Sequence, residues 1–499
     1  MTKYIPVIGM EIHAELKTHS KMFCRCKNGQ GLEKKPNIHV CPVCTGQPGT
    51  LPVPNAEAVK FVQLAGLALD CELNLHSKFD RKNYFYPDIP KGYQISQYDL
   101  PLCKDGELEI IAGGDAASDK QVKKIGITRI HLEEDTGKLT HPEGVDYSLV
   151  DFNRAGVPLM ELVTEPDLAS GSEARVFCQN LQQVLRYLDI SDADMEKGQM
   201  RCEVNISLYK EGEERLSGTK VEVKNINSFR FVEKAINYEI ERQMEVLERG
   251  EKVVQETRGW DSVKNITVSQ RKKESAHDYR YFPEPDIAPL SFTQAYVEEL
   301  KLELPELPAA KRARLREQYA LGAQEADIIT EKRDLAQYFE AVMSELDEKA
   351  VSGEFKADMD KARKLAVNYL LTELRKHLAE SGHDMRDLRI SAENYAEFVG
   401  IVAEGKINSS AAQLVLKEMY HRGADPSHII EEKNLAQEND AGALEELVDV
   451  VLADNAQSVA DYKAGKENAI KYLMGQVMAK SGGKANPQAV LGILEAKLK

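Results

Sequence analysis

The chain has 499 residues, 42% of them hydrophobic and 29% charged, with a formal net charge of −16. Such a length supports about two to four domains with ample cores, while the acidic balance excludes wholesale coating of nucleic acid and leaves room only for a local basic surface. No apolar run approaches the roughly 20 residues of a membrane span, and Tyr4-Ile-Pro-Val-Ile-Gly-Met10 runs too soon into charge for a signal peptide, so the expected compartment is the cytoplasm.

The first predicted strand, Val7-Ile-Gly-Met-Glu-Ile-His13, alternates. Ile8, Met10 and Ile12 share one face, and Glu11 and His13 share the other. Next come Cys24-Arg-Cys26 and Cys41-Pro-Val-Cys44, four of the eight cysteines within 21 residues. That spacing points to a structural Zn²⁺ held by Cys24, Cys26, Cys41 and Cys44, and to a reducing compartment; the alternative is four unpaired thiols. A four-thiolate site is closed, so chemistry is expected elsewhere. Cys71, Cys103, Cys178 and Cys202 read as small buried hydrophobes.

Helices are expected over 55–69, 172–188 and 231–247 from apolar spacing. Between them, Asp80 to Gln94 interleaves Arg81, Lys82 and Lys91 with Tyr84, Phe85, Tyr86 and Tyr93, a mixture suited to unpaired nucleic acid, or equally to half-buried aromatics under a loop. His277-Asp-Tyr-Arg-Tyr-Phe-Pro283 repeats the pattern. The strand Gly126 to Asp135 presents Arg129, His131 and Glu133 on one face, with Glu134 and Asp135 at its end. Glu161 stands alone among apolar neighbours in Val157 to Val163, where an unpartnered carboxylate is costly to bury. Carboxylates plus an imidazole suit Mg²⁺ or Mn²⁺, and hence phosphate chemistry. The same acids read equally as salt-bridge partners of Arg129 and other cations. Two further strands align Arg201, Glu203 and Asn205, and Lys220, Glu222 and Lys224, either as an ordinary solvated sheet face or, since the design repeats across strands, as cations for phosphates beside acids for Mg²⁺. No Gly-x-x-x-x-Gly-Lys-Ser/Thr occurs, so an ATP site would not be a P-loop.

Up to about residue 292 the chain reads as α+β; beyond the proline cluster Tyr281 to Pro289, Ala, Leu, Glu and Lys take over at helical spacing. The expected domains are 1–292, a sheet domain carrying the zinc knuckle; 293–405, helical; and 406–499, a small helical tail entered at Glu404-Gly-Lys-Ile-Asn408 with helices over 408–420, 455–462 and 467–478. The tail is polarised: residues 425–460 hold nine acids and one Lys, and residues 461–499 hold seven Lys and three acids.

Gly9 to His13, Phe79 to Asp88, His131 to Asp135, Asp151-Phe-Asn-Arg-Ala-Gly-Val-Pro158, Gly218 to Asn225 and Asp278 to Asp286 together closely resemble the B subunit of the aspartyl/glutamyl-tRNA(Asn/Gln) amidotransferases, the GatB family. Gly465 to Pro487 resembles that family's YqeY-like tail. The resemblance spans the chain and implies an antiparallel-sheet cradle followed by all-α and YqeY-like domains. It further implies ATP-dependent transamidation of Glu-tRNA(Gln) and Asp-tRNA(Asn): the side-chain carboxylate is phosphorylated, then ammonia from a glutaminase subunit displaces phosphate. The implied partners are an amidase A-subunit and a small C-subunit, completing a heterotrimer, and misacylated tRNA, without a membrane; the implied cofactors are ATP, Mg²⁺ or Mn²⁺, and Zn²⁺. Carried over by motif position, the metal ligands and catalytic acids fall on Glu11, His13, Glu133, Glu134 and Glu161. Glu11, His13 and Glu134 are expected to hold Mg²⁺, with Glu133 and Glu161 at a second ion or taking protons. Arg201, Lys220 and Lys224, with Arg81, Lys82 and Tyr84, are weaker candidates for phosphate or substrate contact. The Lys-rich tail is expected to grip tRNA. A tRNA-binding adaptor with structural acids is the competing reading; an archaeal relative with a large inserted domain does not fit between residues 292 and 410.

Overall fold

The computed structural model describes residues 3–113, 121–272, 279–354, 356–437, 441–482 and 484–498. Two compact units divide the chain, Met1–Pro308 and Ala309–Lys499. The first is built on a nine-stranded sheet. Its order is Ile266–Lys272, Glu256–Asp261, Val221–Ile226, Met200–Lys210, Tyr4–Glu15, Pro158–Thr164, Gln121–Glu134, Cys103–Ala112 and Glu72–Leu73. Neighbours are antiparallel except Val221–Ile226 against Glu256–Asp261, which run parallel because the helix Phe229–Glu248 lies in the connection between them.

The alternation read from the sequence sets which face is buried. Ile8, Met10, Ile12 and Ala14 of the central strand join Ile130, Leu132, Met160, Leu162, Val204 and Ile206 in one hydrophobic core. Three helices cover it, Ala56–Ala68, Gly171–Tyr187 and Phe229–Glu248, each within two residues of its expected span at either end. Their starts are fixed by Asn55, Ser170 and Ser228, whose side chains accept backbone N–H groups of the first turn. With its apolar face spent on the core, the sheet leaves the opposite face for charge. A smaller sheet, in the order Phe282–Pro283, Asp80–Asn83, Tyr93–Ser96, joins the two cation–aromatic runs. His277 and Asp278 of the second run lie outside the described residues.

The compositional shift near residue 292 precedes the end of the first unit, because the helix Gln294–Lys301 still buries Val297 and Leu300 in the sheet domain's core. The second unit is helical. One hydrophobic cluster spans Leu315 to Ile429 and another Leu444 to Leu498. Gly405, at φ 71°, ends the helix Ala392–Ala403, yet the following helix Ser409–Arg422 buries Ala412, Leu416 and Met419 in the same cluster. The turn expected to open the tail therefore punctuates one core, and the next cluster starts only at Leu444. In the tail the basic end is partly neutralised by the acidic stretch: Lys497 and Lys480 pair with Asp449 and Asp454 at 2.7 and 2.6 Å, while Lys466 pairs with Asp461 of its own segment at 3.1 Å. No helix of the described residues is long and apolar enough to cross a membrane.

Candidate active site

Strand register, rather than sequence proximity, assembles the charged face. Glu161 lies directly opposite His131 on one side and His13 on the other, and His13 lies opposite Arg201. The resulting row, His131, Glu161, His13, Arg201, crosses four strands, and Glu133 and Glu11 flank it. His13 Nε2 stands 3.3 Å from Glu161, 3.8 Å from Glu133 and 3.9 Å from Glu11. His131 Nε2 stands 3.3 Å from the same Glu161 oxygen and 3.7 Å from Glu133. Glu11, His13 and Glu161, and His131, Glu133 and Glu161, each offer ligand atoms within 4.8 Å of one another. An octahedral Mg²⁺ or Mn²⁺ with bonds of about 2.1 Å sets adjacent donors about 3 Å apart and opposite donors about 4.2 Å apart, so these separations fit such an ion.

Burial and like charge make the cluster electrostatically tense. Glu161 is only 5% exposed. Burial alone would raise its carboxyl, but His131 and His13 outweigh it and hold the group well below the usual range. Glu133 is likewise lowered against burial by His131 and Lys82, and Ser96 Oγ–H donates to it at 3.0 Å. Glu11 goes the other way: burial, then the nearby Glu161, push it up to about 7. His131 is pushed up to about 9, Glu161 and Glu133 overcoming its burial, and its Nδ1 is buried with no hydrogen-bond partner among the described residues. Lys82 faces the same carboxylates; burial would lower it, and Glu133 and Glu161 raise it instead.

Glu134 does not join Glu11 and His13. The pleat turns it to the other side of its strand from Glu133, where it pairs with Lys91 at 2.5 Å and accepts the Ile95 N–H at 3.0 Å. The carboxylate whose ligand atoms converge with those of Glu11 and His13 is Glu161. Arg201 is committed to buried Asp135, at 2.7 Å. Burial would raise the Asp135 carboxyl, but Arg201 and Arg154 hold it at about 2. Lys224 is held by Glu203 at 2.6 Å and Glu222 at 3.5 Å, whereas Lys220 is exposed just ahead of its strand. Arg81 clamps Glu284 through two hydrogen bonds of 2.7 and 2.9 Å and lies 4.3 Å over the Tyr93 ring, and the Tyr84 hydroxyl donates to Gln94 at 2.9 Å.

The four knuckle cysteines come together, all thiols, with their sulfurs within 4.8 Å of one another. Cys41 and Cys44 Sγ are 3.8 Å apart, the edge of a tetrahedron with Zn–S bonds of about 2.3 Å. Lys21, fully buried, places Nζ 3.8 Å from Cys44 Sγ and donates to the Phe152 carbonyl at 3.1 Å. A buried ammonium beside Cys44 would offset part of the negative charge of a tetrathiolate zinc centre. Nothing in the spacing of the sequence singles out Lys21. His131, whose strand face was legible, enters the site only through its register with Glu161.

Two family models match the chain, the GatB/GatE catalytic domain over residues 6–298 and the GatB domain over residues 354–498. Among curated relatives, the B subunit of the aspartyl/glutamyl-tRNA(Asn/Gln) amidotransferase of Carboxydothermus hydrogenoformans is 46% identical, covering 100% of this chain and 99% of the relative. The proteins of the same name from Thermoanaerobacter pseudethanolicus and Thermotoga maritima are 48% and 46% identical, each over 99% of both chains.

Proposed function

The chain belongs to the B-subunit family of the aspartyl/glutamyl-tRNA(Asn/Gln) amidotransferases, glutamine-hydrolysing enzymes of translation, and from that premise we propose that the carboxylate–histidine row is where the tRNA-borne side chain is activated and amidated. The observation that carries this reading is the convergence of Glu11, His13, Glu133 and Glu161, from three strands, on one otherwise unused sheet face. Glu11, His13 and Glu161 would hold a divalent cation, Mg²⁺ or Mn²⁺, which when bound neutralises charge on ATP phosphates. The chain's own groups do the rest. An oxygen of the Glu or Asp side chain attacks the γ-phosphorus of ATP, and ADP leaves. Ammonia then attacks the acyl carbon, phosphate leaves with the bonding pair, and the released proton passes to Glu133, kept ionised by His131 and Lys82. Lys82, buried and facing Glu133 and Glu161, offsets the negative charge gathered there. Arg201 and Lys224 serve this reading as partners of acids rather than as phosphate hooks, since Asp135 and Glu203 already occupy them.

Ammonia would come from a separate amidase protein, with a small third chain completing a cytoplasmic complex. The zinc knuckle braces the loop beside the Glu11–His13 strand, and the tail after residue 405 takes the body of the tRNA. The deciding experiment is amidation of Glu-tRNA(Gln) and Asp-tRNA(Asn) by the co-expressed three-subunit complex, with and without ATP and Mg²⁺. Turnover requiring both, and lost in Glu161→Gln with glutaminase activity retained, is expected. Binding of tRNA without ATP-dependent amidation would leave a tRNA-binding adaptor.

A further inference from the structure

Two cation–aromatic runs nearly 200 residues apart in the chain are joined by Phe282–Pro283 pairing with Asp80–Asn83, and the Asn83 N–H donates to the Tyr279 carbonyl at 3.0 Å. Beside this junction the rings of Tyr98 and Tyr281 stack, centroids 4.4 Å apart and planes 12° apart, with Tyr279 edge-on to Tyr281 at 5.9 Å. We propose that the Tyr98–Tyr281 stack is the docking platform for the unpaired 3′-terminal adenine of the aminoacylated tRNA, holding that end beside the carboxylate cluster. The inference rests on the transamidation reading.

Four observations support it. First, the pair is not core: Tyr98 is 61% exposed and both rings lie outside the hydrophobic cluster of the sheet domain. Second, this exposed ring sits on a fixed backbone. The Tyr98 N–H donates to buried Asp80 at 3.0 Å, and neighbouring Gln97 donates to Ser77 at 2.7 Å and accepts from Leu132 at 3.0 Å. A pre-set aromatic binds a flat ligand with little entropy left to lose. Third, the platform adjoins the chemistry. Ser96, two residues before Tyr98, hydrogen-bonds Glu133, and the Tyr281 hydroxyl is pushed up to about 12 by burial, with Glu133 and Glu161 adding to the shift and Lys82 opposing it. Fourth, the Lys82 ammonium lies 5.3 Å from the Tyr279 ring centroid, so the aromatic group carries the cation that unpaired RNA favours.

The chemistry of the substrate selects the occupant. In aminoacyl-tRNA the amino acid is esterified to the terminal adenosine, so a side-chain carboxyl at Glu133 and Glu161 leaves the adenine only one side chain and one ribose away. ATP carries the same ring at a similar covalent span from its γ-phosphate, so separate KM values for tRNA and ATP distinguish the two adenines.

The test uses the assembled three-subunit enzyme with Tyr98→Leu, Tyr281→Leu and Tyr98→Phe, and tRNA carrying 2-aminopurine in place of its terminal adenine. Wild type should quench the fluorophore by stacking, and Tyr98→Leu should relieve the quenching. With natural misacylated tRNA, each Leu variant should raise KM for tRNA about 10-fold, the equivalent of about 1.4 kcal/mol. KM for ATP and glutaminase activity should stay within twofold, and Tyr98→Phe should behave as wild type. Equal quenching in wild type and Tyr98→Leu would overturn the proposal, as would a KM increase confined to ATP. Quenching reads stacking without turnover, so a complex that quenches but never amidates would refute the transamidation reading and leave the platform standing.

Discussion

Replacing Cys41 with serine tests whether the knuckle is held by its metal. Between Cys24 and Pro54 the segment contains turns and a single bridge partner, and Cys44 is its only buried residue, so it has almost no apolar core of its own. Joining Cys26 to Cys41 through one ion closes a loop of 15 residues. A cross-link of that span removes about 3 kcal/mol of chain entropy from the open state, a lower bound because the Zn–S bonds add to it. Losing it should raise the open population of the knuckle about 100-fold while the nine-stranded sheet keeps its own core. Zinc per chain, by atomic absorption, should fall from one towards zero. Trypsin cleavage after Arg25, Lys27 or Lys34 should accelerate by that factor, with the far-ultraviolet circular dichroism unchanged, and amidation should fall only as the knuckle opens. Zinc lost without faster cleavage would show that the segment stands without its ion. A folded, uncleaved, zinc-free chain lacking catalysis alone would make the metal a participant in the reaction.

Other outcomes follow from the same geometry. Glu161→Gln removes the carboxylate shared by two imidazoles, and should reduce amidation by at least about 100-fold without changing glutaminase activity; near-normal product on acid gels would take Glu161 out of the centre. Glu134→Gln should leave Mn²⁺ affinity, read by electron paramagnetic resonance, unchanged, because Glu134 faces Lys91; a loss of affinity comparable to that of Glu161→Gln would contradict the strand geometry. Asp135, held at about 2 rather than 3.8, contributes about 2 kcal/mol that is fully present above pH 3.8 and is lost as pH falls through about 2. Arg201→Met should forfeit most of this at neutral pH, and the gap in urea stability between variant and wild type should close on acidification; a gap constant from pH 6 to pH 3 would assign the loss to packing. Ending the chain at Gln437 removes a separate hydrophobic cluster, and should raise KM for misacylated tRNA while glutaminase activity persists; parallel loss of both would count against a tRNA-gripping tail.

The faces of the site were legible in the sequence, and its interior was not. Alternation is local, so Glu11 with His13, and His131 with Glu133, follow from a period of two. Which strand lies beside which is set by long-range pairing, and only that pairing brings Glu161 between two histidines that are 118 residues apart in the chain. Motif position put Glu134 with the metal ligands; the pleat, which sends consecutive side chains to opposite faces, turns it away from Glu133 and towards Lys91. The compositional shift and the end of the first compact unit part for a different reason. Composition changes where helices begin, whereas a unit ends where burial ends, so the helix Gln294–Lys301 remains with the sheet that buries Val297 and Leu300. The caps at Asn55, Ser170 and Ser228, being local, fell where the residue types required.

Lys21 carries a consequence for how the metal state of the protein can be observed. Its ammonium is sealed from water with one carbonyl and one thiol sulfur as partners. With zinc bound, the four thiolates and the ion sum to two negative charges beside it; with the metal withdrawn and the thiols protonated, that sum is zero. The lysine is then a buried cation without a counter-charge, and the cheapest relief is to swing out to water. Reaction of Lys21 with an amine-directed label, negligible in the loaded protein, would thus report zinc occupancy from inside the fold, through a residue that never touches the ion.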